Sequence, residues 1–334
     1  MRILALVFAL LVFYLCPLPA QVTGTAWVTF PSLSDTLVIG NPVRSITSDF
    51  TGRVWWGTAH GIYRQSSDVA AGRYLYPDSS YKQKSRNNVL SLAILPDSTV
   101  YTASPVGMSR HLAFSMTTSS LITYPVIPDS SVTIVKADSA DAEQTWGAGN
   151  GKIWVYADTV EVVFSADSGL AGPVVYDIAI DSTGSIWIAT SGGVSRLVGN
   201  YWITYTISNS GLNGTINYAI AVAGSDSSIW IGGDDGLVQF DGDTTWTDWT
   251  DSLPNHRVKD LVYSPKDTTM WCATDSGLAG YRPNRPYPTS SWRKYFPGST
   301  GDSLPNYRIF CVYPDTAGRV WIGHTTGVTR LKEN

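Results

Sequence analysis

One short pattern recurs seven times along this chain, and no other sequence feature limits the possible folds as strongly. Its clearest copy, residues 181–205, is DSTGSIWIATSGGVSRLVGNYWITY, in which β-branched and aromatic strands alternate with turns rich in Asp and Gly. An aromatic residue marks each copy, and successive markers are 46, 45, 41, 43, 41 and 50 residues apart. A repeat of about 40–50 residues is typical of propeller blades. The markers are Trp55, Tyr101, Trp146, Trp187, Trp230, Trp271 and Trp321.

Each repeat can be written as four antiparallel strands. An apolar inner strand such as VVYDIAI (174–180) comes first, the marker lies on the second strand, and an outer strand of the YWITY type comes last. Only six repeats are followed by such an outer strand, whereas AWVTF at 26–30 precedes the first inner strand. The sequence therefore predicts an all-β fold, a seven-bladed β-propeller of four-stranded antiparallel blades in which strand 26–30 completes the last blade. This closure would remove two exposed sheet edges.

The first 20 residues have the pattern of a secretory signal peptide. Arg2 gives a short positive start, residues 3–15 (ILALVFALLVFYL) are apolar, and a cleavage position precedes Gln21. A lipoprotein attached through Cys16 and an uncleaved membrane anchor are the alternatives. We expect a signal peptide at 1–20 and a single propeller domain at 21–334, secreted or periplasmic, with no membrane span in the mature chain.

Composition narrows the function classes. The formal net charge is −4 and only 15% of the residues are charged, without clusters of Lys or Arg, so the chain lacks the charge pattern of a nucleic-acid-binding protein. After the signal peptide only Cys272 and Cys311 remain. A disulfide needs Cα atoms within about 7 Å, which strands of different blades at different radii seldom reach. We therefore expect two buried free thiols.

The shared pattern D-x-x-G-x-I/V-W-I-G/A-T-x-x-G-L/V-x-R, followed by W-x-x-Y, resembles the two-component regulator propeller repeat. The resemblance covers residues 26–334 and is tightest at 181–205, 49–64 and 315–330, whereas Tyr101 replaces the Trp in the second copy. That family's repeats form the periplasmic sensor propellers of bacterial hybrid sensor kinases and also occur in stand-alone exported proteins. The resemblance implies carbohydrate sensing, and we expect the stand-alone exported form.

Two motifs that suggest ligand chemistry have structural interpretations. The Asp-rich segment 240–248 (FDGDTTWTD) suggests calcium, but Trp246 and Ser252 stand where a calcium loop needs Gly and Glu, so an outer turn is favoured. GAGNGK at 147–152 resembles a phosphate loop but is one residue short and lies between two strands, which favours a hairpin turn. The marker Trp residues are expected to fill the space between blades.

Three of the four histidines are expected on one face of the propeller. His60 and His324 lie at turns between second and third strands, and His256 lies in a segment that leads into an inner strand. Streptogramin lyases are seven-bladed propellers with catalytic histidines and a metal on this kind of surface, although here the similarity is architectural, without a matched motif. A propeller lyase or hydrolase using these histidines is therefore the alternative function. The main prediction includes no catalytic residue, no metal site and no cofactor.

The segments that lead into the last three inner strands, NSGLNGTINY, TDSLPNHRVKD and GDSLPNYRIF, carry the best binding candidates. Amide and guanidinium donors beside an aromatic residue can bind hydroxyl-rich or anionic ligands, although Leu-Pro-Asn also suits the start of an inner strand. We predict a non-catalytic ligand-binding or protein-interaction propeller, monomeric, whose partner is a glycan, another small polar ligand or an envelope protein. The candidate ligand-binding residues are Asn255, His256, Arg257, Asn306, Tyr307, Arg308, His60, His324, Arg86 and Asn88.

Overall fold

A computed structural model gives the fold of most of the chain. The signal peptide predicted at 1–20 lies outside the described residues. Those residues are 26–30, 42–65, 72–75, 88–112, 122–128, 131–138, 144–157, 159–165, 169–199, 201–224, 227–283, 290–297, 304 and 308–332.

The described residues form seven sheets of antiparallel strands. The strands that open the sheets are β2 (Val43–Ser48), β6 (Ser91–Ile94), β10 (Ile134–Ala137), β14 (Val175–Ile180), β18 (Asn217–Val222), β22 (Val258–Ser264) and β26 (Ile309–Pro314). The second strands are β3 (Val54–Thr58), β7 (Val100–Ser104), β11 (Thr145–Gly149), β15 (Ile186–Thr190), β19 (Ile229–Gly233), β23 (Thr269–Thr274) and β27 (Arg319–His324).

The outer half of each sheet follows the same order. The third strands are β4 (Gly61–Gln65), β8 (Gly107–Leu112), β12 (Lys152–Ala157), β16 (Gly193–Val198), β20 (Leu237–Phe240), β24 (Gly277–Tyr281) and β28 (Gly327–Lys332). The outermost strands are β1 (Ala26–Phe30), β5 (Gly72–Leu75), β9 (Ile122–Pro128), β13 (Thr159–Ser165), β17 (Tyr201–Tyr205), β21 (Trp246–Asp248) and β25 (Trp292–Tyr295). A short 3-10 helix, Thr250–Ser252, follows β21.

We number the sheets 1 to 7 in the chain order of their first strands. In sheets 1 to 6 the strands follow one another as they do in the chain, whereas sheet 7 has the order β1-β28-β27-β26. Strand β1 pairs antiparallel with β28, from Ala26 opposite Lys332 to Phe30 opposite Val328. The N-terminal strand therefore pairs with the third strand of the last repeat, as the sequence predicts.

The first strands lie around a central cavity. Each contacts the first strand of the next sheet in chain order, and β26 contacts β2. The cavity has a volume of about 340 Å³ and is lined by residues of β2, β6, β10, β22 and β26 and by Tyr176 of β14. Seven antiparallel sheets placed in this way fit a seven-bladed β-propeller, with the predicted inner strands on the inside.

The marker aromatic residues form the cores between neighbouring sheets. Trp187 packs with Ile220 and Phe240 of sheet 5, and Trp321 packs with Val43 of sheet 1. The packing role predicted for these side chains is confirmed, because each fills a gap that neither sheet could close alone. The markers that are almost completely shielded from solvent include Trp187, Trp230, Trp271 and Trp321.

A hydrogen-bonded Asp fixes each marker Trp in the best copies of the repeat. Asp181 accepts the backbone N–H of Ser185 and the indole N–H of Trp187, both at 2.9 Å, while Gly184 takes a left-handed φ of +79° in the same turn. The Arg196 guanidinium lies 4.7 Å from the centre of the Trp187 ring. The same arrangement joins Asp49, Trp55 and Arg64 in sheet 1 and Asp315, Trp321 and Arg330 in sheet 7.

Three further sequence predictions are confirmed. Cys272 and Cys311 are free and buried. Residues 147–152 form the hairpin between β11 and β12, where Asn150 has a φ of +50°. Asp241 lies in the turn between β20 and β21, and its Oδ1 accepts three consecutive backbone N–H groups. In the described part of the chain, no helix is long and apolar enough to cross a membrane.

Candidate ligand-binding site at the mouth of the cavity

Two kinds of connection meet at one end of the cavity, which we call the mouth. They are the turns between second and third strands and the segments that lead into first strands. The Asp275 N–H donates to the Arg257 carbonyl at 3.3 Å, and the Asp234 N–H donates to the Ile216 carbonyl at 3.1 Å. In sheets 5 and 6 the two kinds of connection therefore lie on the same face.

Five of the first strands have a bulge near their start. The register with the second strand shifts by one residue in β2, β14, β18, β22 and β26. A bulge inserts an unpaired residue and turns its side chain away from regular alternation. The inserted residues are Arg44, Tyr176, Tyr218, Lys259 and Phe310.

A network of charged groups joins sheets 5 and 6 beside these bulges. Arg257 Nε lies 2.5 Å from Asp234 Oδ1, and Arg257 Nη1 lies 3.7 Å from Asp275 Oδ2. Arg257 Nη2 donates to the hydroxyl of Tyr218 at 3.3 Å, and that hydroxyl donates to Asp234 Oδ2 at 3.1 Å. Arg257 is therefore held by two carboxylates and a phenol.

Two more cations and a second aromatic ring complete this group. Lys259 Nζ lies 3.9 Å from the centre of the Tyr218 ring, within the range of a cation–π contact. The ring of Tyr176 meets the ring of Tyr218 edge-on at 5.0 Å. Arg308, which is exposed, has its Nε 3.6 Å from Asp275 Oδ1. We call the group the mouth cluster; its members are Tyr176, Tyr218, Asp234, Arg257, Lys259, Asp275 and Arg308.

A second charged group lies on the wall of the cavity. Lys136 Nζ is 3.1 Å from Asp177 Oδ1, and the Ile220 N–H of the next sheet donates to Asp177 Oδ2 at 3.1 Å. In the same way, Asp260 of sheet 6 accepts a hydrogen bond from the Val312 N–H of sheet 7 at 2.8 Å. Burial raises the pKa of Asp260 to about 7, an effect that Lys136 opposes and Asp177 strengthens. The carboxyl groups of Asp177 and Asp260 therefore join neighbouring first strands.

The structure brings two of the predicted site residues into the mouth cluster, Arg257 and Arg308. Asn255 supports Arg257 directly, because its Oδ1 accepts the Arg257 backbone N–H at 2.8 Å. His256 is exposed beside them. Asn88 lies in the segment leading into sheet 2, where its Oδ1 accepts a hydrogen bond from Arg44 Nη1 at 3.0 Å.

The two histidines at turns between second and third strands have different environments. His60 is exposed, and its backbone N–H donates to Thr58 Oγ1 at 3.1 Å. His324 is buried, with Nε2 3.0 Å from Thr329 Oγ1 and Nδ1 3.0 Å from Thr326 Oγ1. Burial lowers the pKa of His324 to about 4. His324 therefore belongs to the packing of its own sheet, and we leave it out of the site.

His324 stands where sheets 1, 2, 4 and 6 place a turn-forming hydroxyl. Thr190 Oγ1 donates to the Gly193 carbonyl at 2.8 Å, and Thr274 Oγ1 donates to the Gly277 carbonyl at 2.7 Å. In sheet 7 the imidazole of His324 occupies the equivalent position, and its Nδ1 lies within hydrogen-bond distance of the backbone N–H and the hydroxyl of Thr326 in the following turn. The histidine is therefore a variant of a structural position in the repeat, which explains its burial.

Three predicted site residues, Arg86, Asn306 and Tyr307, lie outside the described residues. Within the described ranges, no group of three or more His, Cys, Asp and Glu side chains is placed to hold a metal ion. His60, His256 and His324, all within those ranges, form no such group.

Comparison with known proteins agrees with this architecture. The family model described as two component regulator propeller matches residues 169–192 and 303–326. No curated protein matches the chain. Among solved structures, the extracellular domain of the hybrid two component system BT3049 from B. thetaiotaomicron is 18% identical with a TM-score of 0.72, over 89% of this chain and 40% of that one.

Two other solved structures show the range of proteins that share the fold. The extracellular domain of the one component system BT4673 from B. thetaiotaomicron is 14% identical with a TM-score of 0.75, over 93% of this chain and 40% of that one. A streptogramin B lyase is 13% identical with a TM-score of 0.70, over 93% of this chain and 98% of that one. This chain thus spans about 40% of the two extracellular domains. At such identities the similarity shows the fold alone.

These observations define the class of protein as an all-β propeller with seven sheets. The two matched segments contain the hydrogen-bonded pairs Asp181–Trp187 of sheet 4 and Asp315–Trp321 of sheet 7. The match of the two component regulator propeller model to these two segments agrees with the resemblance that the sequence pattern predicts.

Proposed function

We propose that this chain is an exported, non-catalytic ligand-binding propeller whose ligand occupies the mouth cluster. The observation that carries the proposal is the concentration of three cations, two carboxylates and two tyrosine rings at the open end of the central cavity. Binding sites are typically concave and combine aromatic surface with a few convergent polar groups. The described residues at the mouth provide that combination.

The chemistry of the cluster suits a hydroxyl-rich ligand such as a glycan. Guanidinium and carboxylate groups that already exchange hydrogen bonds can extend them to ring hydroxyls, and Tyr218 and Tyr176 offer apolar ring surface beside them. The extracellular domains that share this fold belong to one and two component systems, which supports a role in sensing.

Export and ring closure form part of the proposal. The apolar segment 3–15 is the proposed core of a signal peptide that ends at residue 20. Strand β1 is proposed to close the ring by completing sheet 7, in agreement with its pairing to β28. A closed ring would hold the connections of the mouth in fixed relative positions, and such preorganisation favours binding.

A glycan-array screen followed by calorimetry on any hit tests the site. We expect Arg257→Ala to weaken binding at least about tenfold, because it removes charge-assisted hydrogen bonds at the centre of the cluster. Tyr218→Phe, which removes only the hydroxyl, should have a smaller effect. Lys266→Ala is the control, since Lys266 lies in the turn between β22 and β23, opposite the mouth. Unchanged affinity in both cluster variants would place the ligand elsewhere.

The lyase alternative has less support from the described residues. The similarity to streptogramin B lyase covers most of both chains, but at 13% identity it concerns the fold. His324 is buried and bonded to Thr329, so its ring is not presented at the mouth. Turnover of a substrate that depended on His60 or His256 would favour the alternative over binding alone.

A further inference from the structure

The ammonium group of Lys259 has an unusual environment in the mouth cluster. Lys259 is half-buried at the bulge of β22, and its Nζ rests on the face of the Tyr218 ring at 3.9 Å. Among the described residues no acceptor lies within hydrogen-bond distance of Nζ. An ammonium group has three donors, and a half-buried one without acceptors loses hydration that the protein does not replace.

The nearby charges do not compensate for this loss. Burial lowers the pKa of Lys259, and the adjacent cations Arg257 and Arg308 lower it further, while Asp275 and Asp234 act in the opposite direction. Both oxygens of Asp234 are already used, one by Arg257 and the other by Tyr218. Three cations face two carboxylates, so the mouth cluster carries one net positive charge in a chain whose net charge is −4.

We propose that the mouth cluster binds a carboxylate-bearing ligand, an acidic saccharide, whose carboxylate accepts a hydrogen bond from Lys259 and whose ring lies against Tyr218 and Tyr176. This inference rests on the proposed function and narrows its ligand class. A carboxylate would supply the acceptor that Lys259 lacks among the described residues, and it would neutralise the surplus cation. The saccharide ring would occupy the open end of the cavity, which Lys259 and Tyr176 also line.

The test compares three probes by calorimetry, namely trigalacturonate, its methyl ester and citrate. The ester keeps the hydroxyls and shape of trigalacturonate but has no charge, and citrate is a carboxylate without a sugar ring. We expect trigalacturonate to bind at least about tenfold more tightly than its ester, with an affinity that falls as salt is added. Stronger binding of citrate than of trigalacturonate would assign the site to small free carboxylates. Equal binding of acid and ester, or no binding of either carboxylate at millimolar concentration, would overturn the proposal.

Two variants connect the result to Lys259. Lys259→Met keeps the apolar stem over Tyr218 and removes the charge, so trigalacturonate should bind at least about tenfold more weakly, whereas Lys259→Arg should retain most of the affinity. Lys259→Met should fold normally, because the charge it removes is unfavourable in the folded state. Lys266→Met is the matched control at the other end of the cavity.

The failure of this inference can be separated from the failure of the proposed function. If a neutral saccharide binds, and Arg257→Ala abolishes that binding while Lys259→Met leaves it unchanged, the mouth is a glycan site without the acidic preference. If neither variant changes the binding of any ligand, both the proposed site and the ligand class are wrong.

Discussion

At the scale of single residues, the repeat is organised by the hydrogen bond between a turn Asp and a marker Trp. Where the Asp is missing, the chain substitutes other groups. In sheet 5 the Trp230 indole N–H donates to Ser228 Oγ at 3.1 Å, and Gln239 Nε2 donates to the same oxygen at 3.0 Å. In sheet 6 the buried Trp271 indole N–H has no acceptor among the described residues. The Asp is therefore replaceable, and its loss has local structural consequences.

Removing the Asp from a complete unit should cost measurable stability. Asp181→Ala leaves the indole N–H of Trp187 and the Ser185 N–H without their acceptor, and we expect a loss of about 2–3 kcal/mol in the free energy of unfolding. Urea unfolding followed by Trp fluorescence measures it. Asp241→Ala is the control, since Asp241 accepts N–H groups in an exposed turn and should cost less. Equal losses in the two variants would contradict a special role for the Asp–Trp pair.

The carboxyl of Asp260 should make stability depend on pH. Its pKa of about 7 lies above the usual value of 3.8, so between these values the folded state holds a proton that the unfolded chain releases. The free energy of unfolding should therefore fall as pH rises through this window, by at most about 1.4 kcal/mol per pH unit. Asp260→Asn cannot ionise and can still accept the Val312 N–H. We expect the free energy of unfolding of Asp260→Asn to equal that of the wild type near pH 4 and to exceed it above pH 7.

Urea titrations at several pH values measure the difference in free energy of unfolding between the wild type and Asp260→Asn. The buried His111 and His324, whose pKa values burial lowers to about 3 and about 4, also titrate in acid. They are present in both proteins, so their contributions cancel in the difference. A difference that stays constant from pH 4 to pH 8 would show that Asp260 ionises normally.

Sequence reasoning identified some of the mouth residues and missed others for a physical reason. Arg257 and Arg308 could be found because polar residues next to an inner strand lie near its end. Tyr218 and Lys259 could not be found from the sequence. Side chains of a regular strand point alternately to its two faces, and a bulge shifts this alternation by one residue. The burial of His324 also needed coordinates, because the sequence does not show that its imidazole replaces the hydroxyl that closes this turn in sheets 4 and 6.

At the scale of strands, the second residue after each marker sets how closely neighbouring sheets approach. This residue is Gly in three sheets and Ala in the other four. A Cβ added at Gly57 would lie 2.6 Å from Val89 Cγ1, and one added at Gly232 would meet Val258. The small side chain therefore leaves room for the residue that precedes or opens the next inner strand.

Gly57→Ala should destabilise the contact between sheets 1 and 2. The added methyl overlaps the fully buried Val89, and we expect a cost of about 1–3 kcal/mol. Val89→Ala removes the closest atom and leaves Val89 Cβ at 3.2 Å from the new methyl. In the Val89→Ala background, Gly57→Ala should lower the free energy of unfolding by less than half as much as it does in the wild type. Urea unfolding of the four proteins gives this coupling, and additive costs would show that the two positions do not compete for space.

At the scale of the whole molecule, the first and last sheets meet in the same manner as neighbouring sheets elsewhere. Ser48 Oγ lies 2.7 Å from the Tyr313 hydroxyl, and the rings of Trp56 and Trp321 are 6.2 Å apart. The seven markers predict seven sheets, and the lack of an outer strand after the last repeat predicts the position of β1. The position of the mouth cluster required coordinates, since its residues come from sheets 4 to 6 and from the segment that leads into sheet 7.

Strand β1 gives the most direct test of the proposed ring closure. A chain that begins at residue 31 lacks the five pairs that β1 makes with β28, and the edge of β28 would be exposed. We expect it to unfold at a lower urea concentration than a chain that begins at residue 26, and to self-associate in sedimentation experiments. A synthetic peptide containing AWVTF should restore the unfolding midpoint, because it can pair with the same edge. Identical midpoints and a monomeric state for both chains would show that sheet 7 holds without its N-terminal strand.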